Sequence, residues 1–208
     1  MLVLSAGMPR SASTWLYNAL RLSLTNTQSR NWECGWIDDL DTSQVKRPAL
    51  IKLHTENKGL ADAADLIFYS FRDIRDALAS MKRKFGHTPT LALASHLIEA
   101  DIFWKQRASF VMKYELMIES PIQTVESILN FLSIEGVNSN SLLSELNSID
   151  FESSPSENAL YNEINLYHKG HITNGGVGVW NEDLDKGFVT ELETEFHWWF
   201  KENGFLNG

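Results

Sequence analysis

Residues 7–15, Gly-Met-Pro-Arg-Ser-Ala-Ser-Thr-Trp, decide the fold. Ahead of them Met1-Leu2-Val3-Leu4 is a strand-like apolar run; behind them Leu16, Ala19, Leu20 and Leu24 recur on one helical face. A turn of small residues between a buried strand and a helix is where an α/β fold holds phosphate. Free backbone N–H groups and the helix dipole both point at the anion there. Gly7, four further residues and Ala12-Ser13-Thr14 fall on the Walker A spacing, with Ser13 where that template requires lysine. Arg10 still supplies a cation inside the loop. The loop therefore suits a phosphate-like group other than the β/γ end of ATP with magnesium.

Working outward, further strands and helices alternate. Residues 25–48 read as polar and irregular. Ala49–Leu53 and Leu66–Phe71 read as strands, and continuous apolar runs of this kind fit a parallel sheet covered on both faces. Residues 73–84 read as a helix with Ile74, Ala77, Leu78 and Met81 inward and a basic end at Lys82-Arg83-Lys84, which suits the helix dipole. A further helix over about 91–107 and a fourth strand over 110–114 follow. Ser120-Pro121-Ile122-Gln123 has the form of a capping box with proline at the first helical position. A glycine-rich loop, Asn174–Gly178, precedes a last helix carrying Leu192, Phe196, Trp199 and Phe200. The expected architecture is α/β: one domain over 1–208, a three-layer sandwich with a central, mainly parallel sheet. In such sheets ligands lie beyond the carboxyl ends of the strands. Four polar features fall there: residues 9–14, His54, Arg72 and Tyr114-Glu115.

Bulk composition narrows the function classes. Eighteen basic against 27 acidic residues leave a net charge of −9, which disfavours nucleic-acid or polyanion partners. One cysteine, Cys34, excludes an internal disulfide framework. No apolar run approaches the roughly 20 residues a membrane helix needs. The N-terminus has no basic stretch ahead of its short apolar run, so the expected location is cytoplasmic. No cluster of His, Cys, Asp and Glu suggests a metal site.

With these motifs in place, the chain resembles sulfotransferases that use 3′-phosphoadenosine 5′-phosphosulfate (PAPS). Their 5′-phosphosulfate loop is similar to Pro9-Arg10-Ser11-Ala12-Ser13-Thr14-Trp15, with Ala12 in place of glycine. Their 3′-phosphate element is similar to the Arg72-Asp73-Ile74-Arg75-Asp76 stretch that leads to Ser80. A strand ending Ile51-Lys52-Leu53-His54 and the pair Tyr114-Glu115 complete four motifs in order across about residues 1–135. The C-terminal match is looser. His168-Lys169-Gly170 stands where the family has Arg-Lys-Gly, and the segment to Gly178-Val179-Trp180 is lengthened.

The resemblance implies that PAPS is the donor and adenosine 3′,5′-bisphosphate (PAP) the product. It implies cofactor contacts at Arg10, Ser11, Ala12, Ser13, Thr14, Trp15, Arg72, Ser80, Tyr114, Lys169 and Gly170, Lys169 taking the role of the missing arginine. Catalysis would rest on Arg10, Lys52 and His54, without a metal. A sulfuryl group carries one negative charge less than a phosphoryl group, so alignment and fixed cations suffice. Lys52 and His54, two apart on a strand, share a face. An unperturbed histidine titrates near 6.5 and takes the acceptor's proton at neutral pH. The expected acceptor is a hydroxyl (or amine) on a small molecule, lipid or sugar. Two other readings stand beside this one: a small P-loop kinase or NTPase, and a catalytically silent nucleotide-binding protein. Asp73, Arg75, Asp76, Glu191, Glu193 and Glu195 read as solvated faces, and Trp198 and Trp199 as packing.

Overall fold

The computed structural model describes residues 1–27, 31–42, 44–154, 156, 158–171 and 174–206. Five strands form one sheet: β1 (Leu2–Gly7), β2 (Glu33–Trp36), β3 (Ala49–Leu53), β4 (Leu66–Phe71) and β5 (Phe110–Lys113). Their order is β2-β3-β1-β4-β5, and every pairing is parallel. β1 sits at the centre with β3 and β4 on either side, so the turn after it opens at the middle of the sheet's carboxyl edge.

Strand alternation sorts the core into two layers. Leu2, Leu4 and Ala6 of β1 pack with Ile51, Tyr69 and Phe71 on one face; Val3, Leu50 and Phe68 pack on the other. The first face is covered by α3 (Ile74–Phe85), α4 (Leu91–Lys105) and the C-terminal helices α9 (Lys186–Glu195) and α10 (His197–Glu202). The second is covered by α1 (Ser13–Thr27), α5 (Tyr114–Glu119), α6 (Pro121–Phe131) and α7 (Ser139–Ser148). Two short helices, α2 (Lys58–Ala63) and α8 (Trp180–Asp183), and a 3₁₀ turn over Ile37–Asp39 complete the described elements. The three-layer α/β expectation holds, with the sheet fully parallel. A fully buried leucine such as Leu4 contributes about 1.5–3 kcal/mol over an exposed one.

Several local expectations are corrected. The irregular stretch 25–48 contains β2, a four-residue edge strand whose Glu-Cys-Gly-Trp has no apolar alternation. Ser120 forms no capping box: it ends α5 as well as starting α6, its amide donating to the Leu116 carbonyl and its carbonyl accepting from Thr124, while its side chain caps nothing. The last helix is two helices broken at Phe196. Trp199 is buried, but Trp198 is 49% exposed.

The charged residues after β4 are not a solvated face. Asp73 caps α3, accepting from the Arg75 amide at 2.9 Å and from its guanidinium, and Arg75 also pairs with Glu193. Asp76 is wholly buried and accepts from the amides of Gly178 (2.8 Å) and Trp180 (3.0 Å). These buried acids fasten the C-terminal segment to the body of the protein.

Candidate active site

The turn after β1 is built tightly. A Cβ at Gly7 would run into Ser70 and stand 2.6 Å from the Ser13 Cβ, so glycine is required there. Ser11 turns its hydroxyl inward, onto the carbonyls of Met8 (2.7 Å) and Ser70 (3.0 Å). Arg10 and Ala12 have φ of 68° and 60°, in the left-handed region. The Ala12 carbonyl then accepts from Leu16 as α1 begins.

A cavity of about 510 Å³ lies against this turn. Arg10, Ala12, Ser13, Thr14, Trp15, Lys52, His54, Arg72, Ser80 and Tyr114 all line it; Ser11, Lys169 and Gly170 do not. Lys169 is exposed, and its carbonyl accepts from Lys84 Nζ at 2.6 Å. The Gly170 carbonyl accepts from the same amine at 2.9 Å. No carboxylate lines the cavity among the described residues.

Arg10 reaches away from its own loop. Its Nε donates to Ser80 Oγ at 2.9 Å and its Nη2 to the His171 carbonyl at 2.7 Å. Arg72 is buried and donates to the carbonyls of Arg10 (3.1 Å) and Gly176 (3.0 Å). It pairs with Asp76 at 3.3 Å and lies 4.0 Å from the centre of the Tyr114 ring. Its Nε is buried without a hydrogen-bond partner among the described residues. A buried donor atom left without a hydrogen bond is costly.

At the end of β3 the expected pair meets. Lys52 Nζ lies 3.4 Å from His54 Nε2, and 4.7 Å from the centre of the Trp36 ring. His54 Nδ1 donates to the Gly7 carbonyl at 2.5 Å, which leaves Nε2 with a lone pair. Burial, and then the Lys52 charge, hold this imidazole well below the usual histidine range. The expected titration near 6.5 is therefore displaced. Burial and then Arg10 push the Lys52 ammonium down to about 7.

The C-terminal segment closes the cavity. Asn162 accepts from the amides of Ile164 and Asn165, and Asn165 from that of Tyr167, an Asx-turn scaffold under Leu166. Asn18 on α1 donates to the Asn165 and Thr14 carbonyls, tying this scaffold to the phosphate-type turn. Tyr167, His168, His171 and Gly175 reach the cavity as a result. Tyr114 donates to the Gly175 carbonyl at 2.6 Å. Residues 172 and 173 of the lengthened segment lie outside the described residues. Sequence reasoning missed Asn18, Asn162, Asn165 and Asp76; the Asn162-x-x-Asn165 pattern was the one local signal.

No protein-family model matches the chain, and no curated protein does so. Solved structures do. Mouse sulfotransferase SULT7A1 complexed with PAP is 16% identical at a TM-score of 0.68, over 93% of this chain and 83% of that one. Retinol dehydratase in complex with androsterone and PAP is 16% identical at 0.60, over 97% and 80%. The same enzyme with retinol and PAP is 14% identical at 0.57. The fold of this chain is that of the sulfotransferases.

Proposed function

We propose that the protein is a PAPS-dependent sulfotransferase acting on a hydroxyl (or amine) of a small molecule, lipid or sugar. The observation that carries this reading is the Lys52–His54 contact inside the same cavity as Arg10, Arg72 and Ser80. The residues present suit the donor: an unpaired buried Arg72 Nε for the 3′-phosphate, and a helix-starting turn for the 5′ end.

Backbone N–H groups at the start of α1, with the Ser13 and Thr14 hydroxyls, hold the 5′ end. Arg72 and Ser80 hold the 3′-phosphate, and Trp15 flanks the adenine. Arg10 joins the two ends, since it already bonds Ser80 from within the loop. Lys169 and Gly170 act through their carbonyls, by which Lys84 holds the segment carrying His168 and His171. The bound donor supplies an activated sulfuryl group. Lys52 stabilises charge on the sulfuryl oxygens, and His54 Nε2 takes the proton of the acceptor hydroxyl as its oxygen attacks in line.

Thermal stabilisation by PAP but not by ATP–Mg²⁺ tests this. At 100 times its Kd, PAP adds about 2.7 kcal/mol. Stabilisation by ATP–Mg²⁺ alone would favour a kinase or NTPase. Transfer from PAPS in the presence of EDTA is the expected activity, and PAP binding without any turnover would favour the silent protein.

A further inference from the structure

His171 sits just past the His168-Lys169-Gly170 stretch, half-buried, and lines the cavity. Three contacts hold it. Arg10 donates to its carbonyl at 2.7 Å. Its ring stacks on His168 at 5.6 Å and 14° and meets Tyr167 edge-on at 4.9 Å. The His168 amide donates to its Nδ1 at 3.4 Å.

That last contact sets the tautomer. With Nδ1 accepting, the neutral ring carries its proton on Nε2. His54 is the reverse, with Nδ1 donating to Gly7 and Nε2 bare. Burial and the nearby charge of Arg10 keep the His171 ring neutral, its pKa lowered to about 3. His54 and His171 thus face the cavity as neutral imidazoles of opposite tautomer. One offers a lone pair, the other an N–H.

We propose that His171 is a second catalytic histidine, donating from Nε2–H to an equatorial oxygen of the sulfuryl group. This rests on the sulfotransferase reading above. In the step itself the acceptor oxygen–sulfur bond forms, the bond from sulfur to the 5′-phosphate oxygen breaks, and PAP leaves. The acceptor's proton goes to His54 Nε2; the His171 proton stays in place. A neutral donor suits this position because Arg10 and Lys52 already crowd it with positive charge, and both oppose a third cation.

The first test is long-range ¹H–¹⁵N correlation of the imidazole nitrogens at pH 7, assigned with His54→Ala and His171→Leu. The expected result is a protonated Nδ1 in His54 and a protonated Nε2 in His171. A protonated Nδ1 in His171 overturns the proposal. The second test uses PAP with orthovanadate, a mimic of the five-coordinate transferring group. His171→Leu should weaken vanadate binding to the PAP complex about 10²-fold, and His171→Gln, which returns an amide N–H near the Nε2 position, should restore most of it. Both variants should bind PAP as the parent does. Unchanged vanadate affinity in His171→Leu overturns the donor role, and so does loss of PAP binding in that variant, which would make His171 structural. Failure of the parent protein to bind PAP overturns the sulfotransferase reading instead.

Discussion

Lys52 Nζ and His54 Nε2 stand 3.4 Å apart at the carboxyl end of β3, where burial and the Arg10 charge lower the proton affinity of both, and Lys52 lowers that of His54 further. Burial first and then Arg10 weaken the lysine's hold on its proton; burial first and then Lys52 weaken the histidine's. A base and a cation in contact thus stay chemically distinct. The histidine is neutral throughout the physiological range, while the lysine titrates near 7.

From that follows a pH profile. In the free protein Lys52 loses its charge as pH rises through about 7, so kcat/KM should fall above that pH. The bound donor's negative charge favours the ammonium, so kcat should hold to higher pH. No acid limb from His54 should appear near 6.5, because its proton affinity is already far lower. Parallel falls of kcat and kcat/KM would remove the lysine assignment.

Substitution separates the two roles. His54→Ala should lower turnover by about 10²–10⁴-fold while PAP affinity stays near that of the parent. Lys52→Ala should also lower turnover, and its residual kcat/KM should lose the fall above pH 7. A His54→Ala protein with near-parental turnover would sink the base assignment.

The nucleotide's 3′ end is tested at Arg72. PAP should bind far better than 5′-AMP, and Arg72→Ala should remove a charge-assisted contact of roughly 1.5–3 kcal/mol, weakening PAP by about 10–150-fold. Arg72 also braces the Arg10 and Gly176 carbonyls, so Arg72→Lys, which keeps charge without the fork, should fall between. Equal binding of PAP and 5′-AMP to the parent would remove the 3′-phosphate site.

What could be read from the chain follows physical range. β1, β3 and β4 announce themselves as apolar runs, and the turn, His54, Arg72 and Tyr114 stand where strand ends place them. β2 and α7 do not: β2 is a four-residue edge strand, and α7 is rich in Ser and Asn, poor helix formers. The buried roles of Asp73, Arg75, Asp76 and Glu193 depend on partners on other elements, up to 118 positions away for Arg75 and Glu193. Nothing local encodes such a pairing. The same holds for Lys169, expected at the 3′-phosphate on a tripeptide match, whose side chain is exposed while its carbonyl accepts from Lys84.

Acid sensitivity is a consequence of the histidines facing the cavity. His54, His168 and His171 all have folded pKa values below the unfolded 6.5, His171 at about 3. Between 6.5 and 3 the unfolded chain binds protons that these folded sites refuse. Their stability contribution is complete above pH 6.5 and is lost progressively as pH falls toward 3. One such group adds at most about 1.4 kcal/mol per pH unit to the slope. Melting curves of His171→Leu should show a shallower fall between pH 6 and 4 than the parent; an identical slope would contradict the lowered value.

The turn itself carries strain that a single substitution can measure. Ala12 stands at φ 60°, where a Cβ crowds the following carbonyl and costs an L-residue roughly 1–2 kcal/mol. Glycine is free of that cost but loses more backbone entropy on folding, by roughly 0.5–1 kcal/mol. Ala12→Gly should therefore stabilise by up to about 1.5 kcal/mol, a rise in Tm of at most about 3–6 °C for a chain of this size. Ala12→Val should act in the opposite direction, since a branched Cβ is worse placed in the left-handed region. The backbone N–H groups of the turn are the same in all three proteins, so PAP affinity should change little in the glycine variant. Calorimetric melting of the three proteins checks the order Gly above Ala above Val. A lower Tm for Ala12→Gly than for the parent would show that the left-handed turn is not the source of strain.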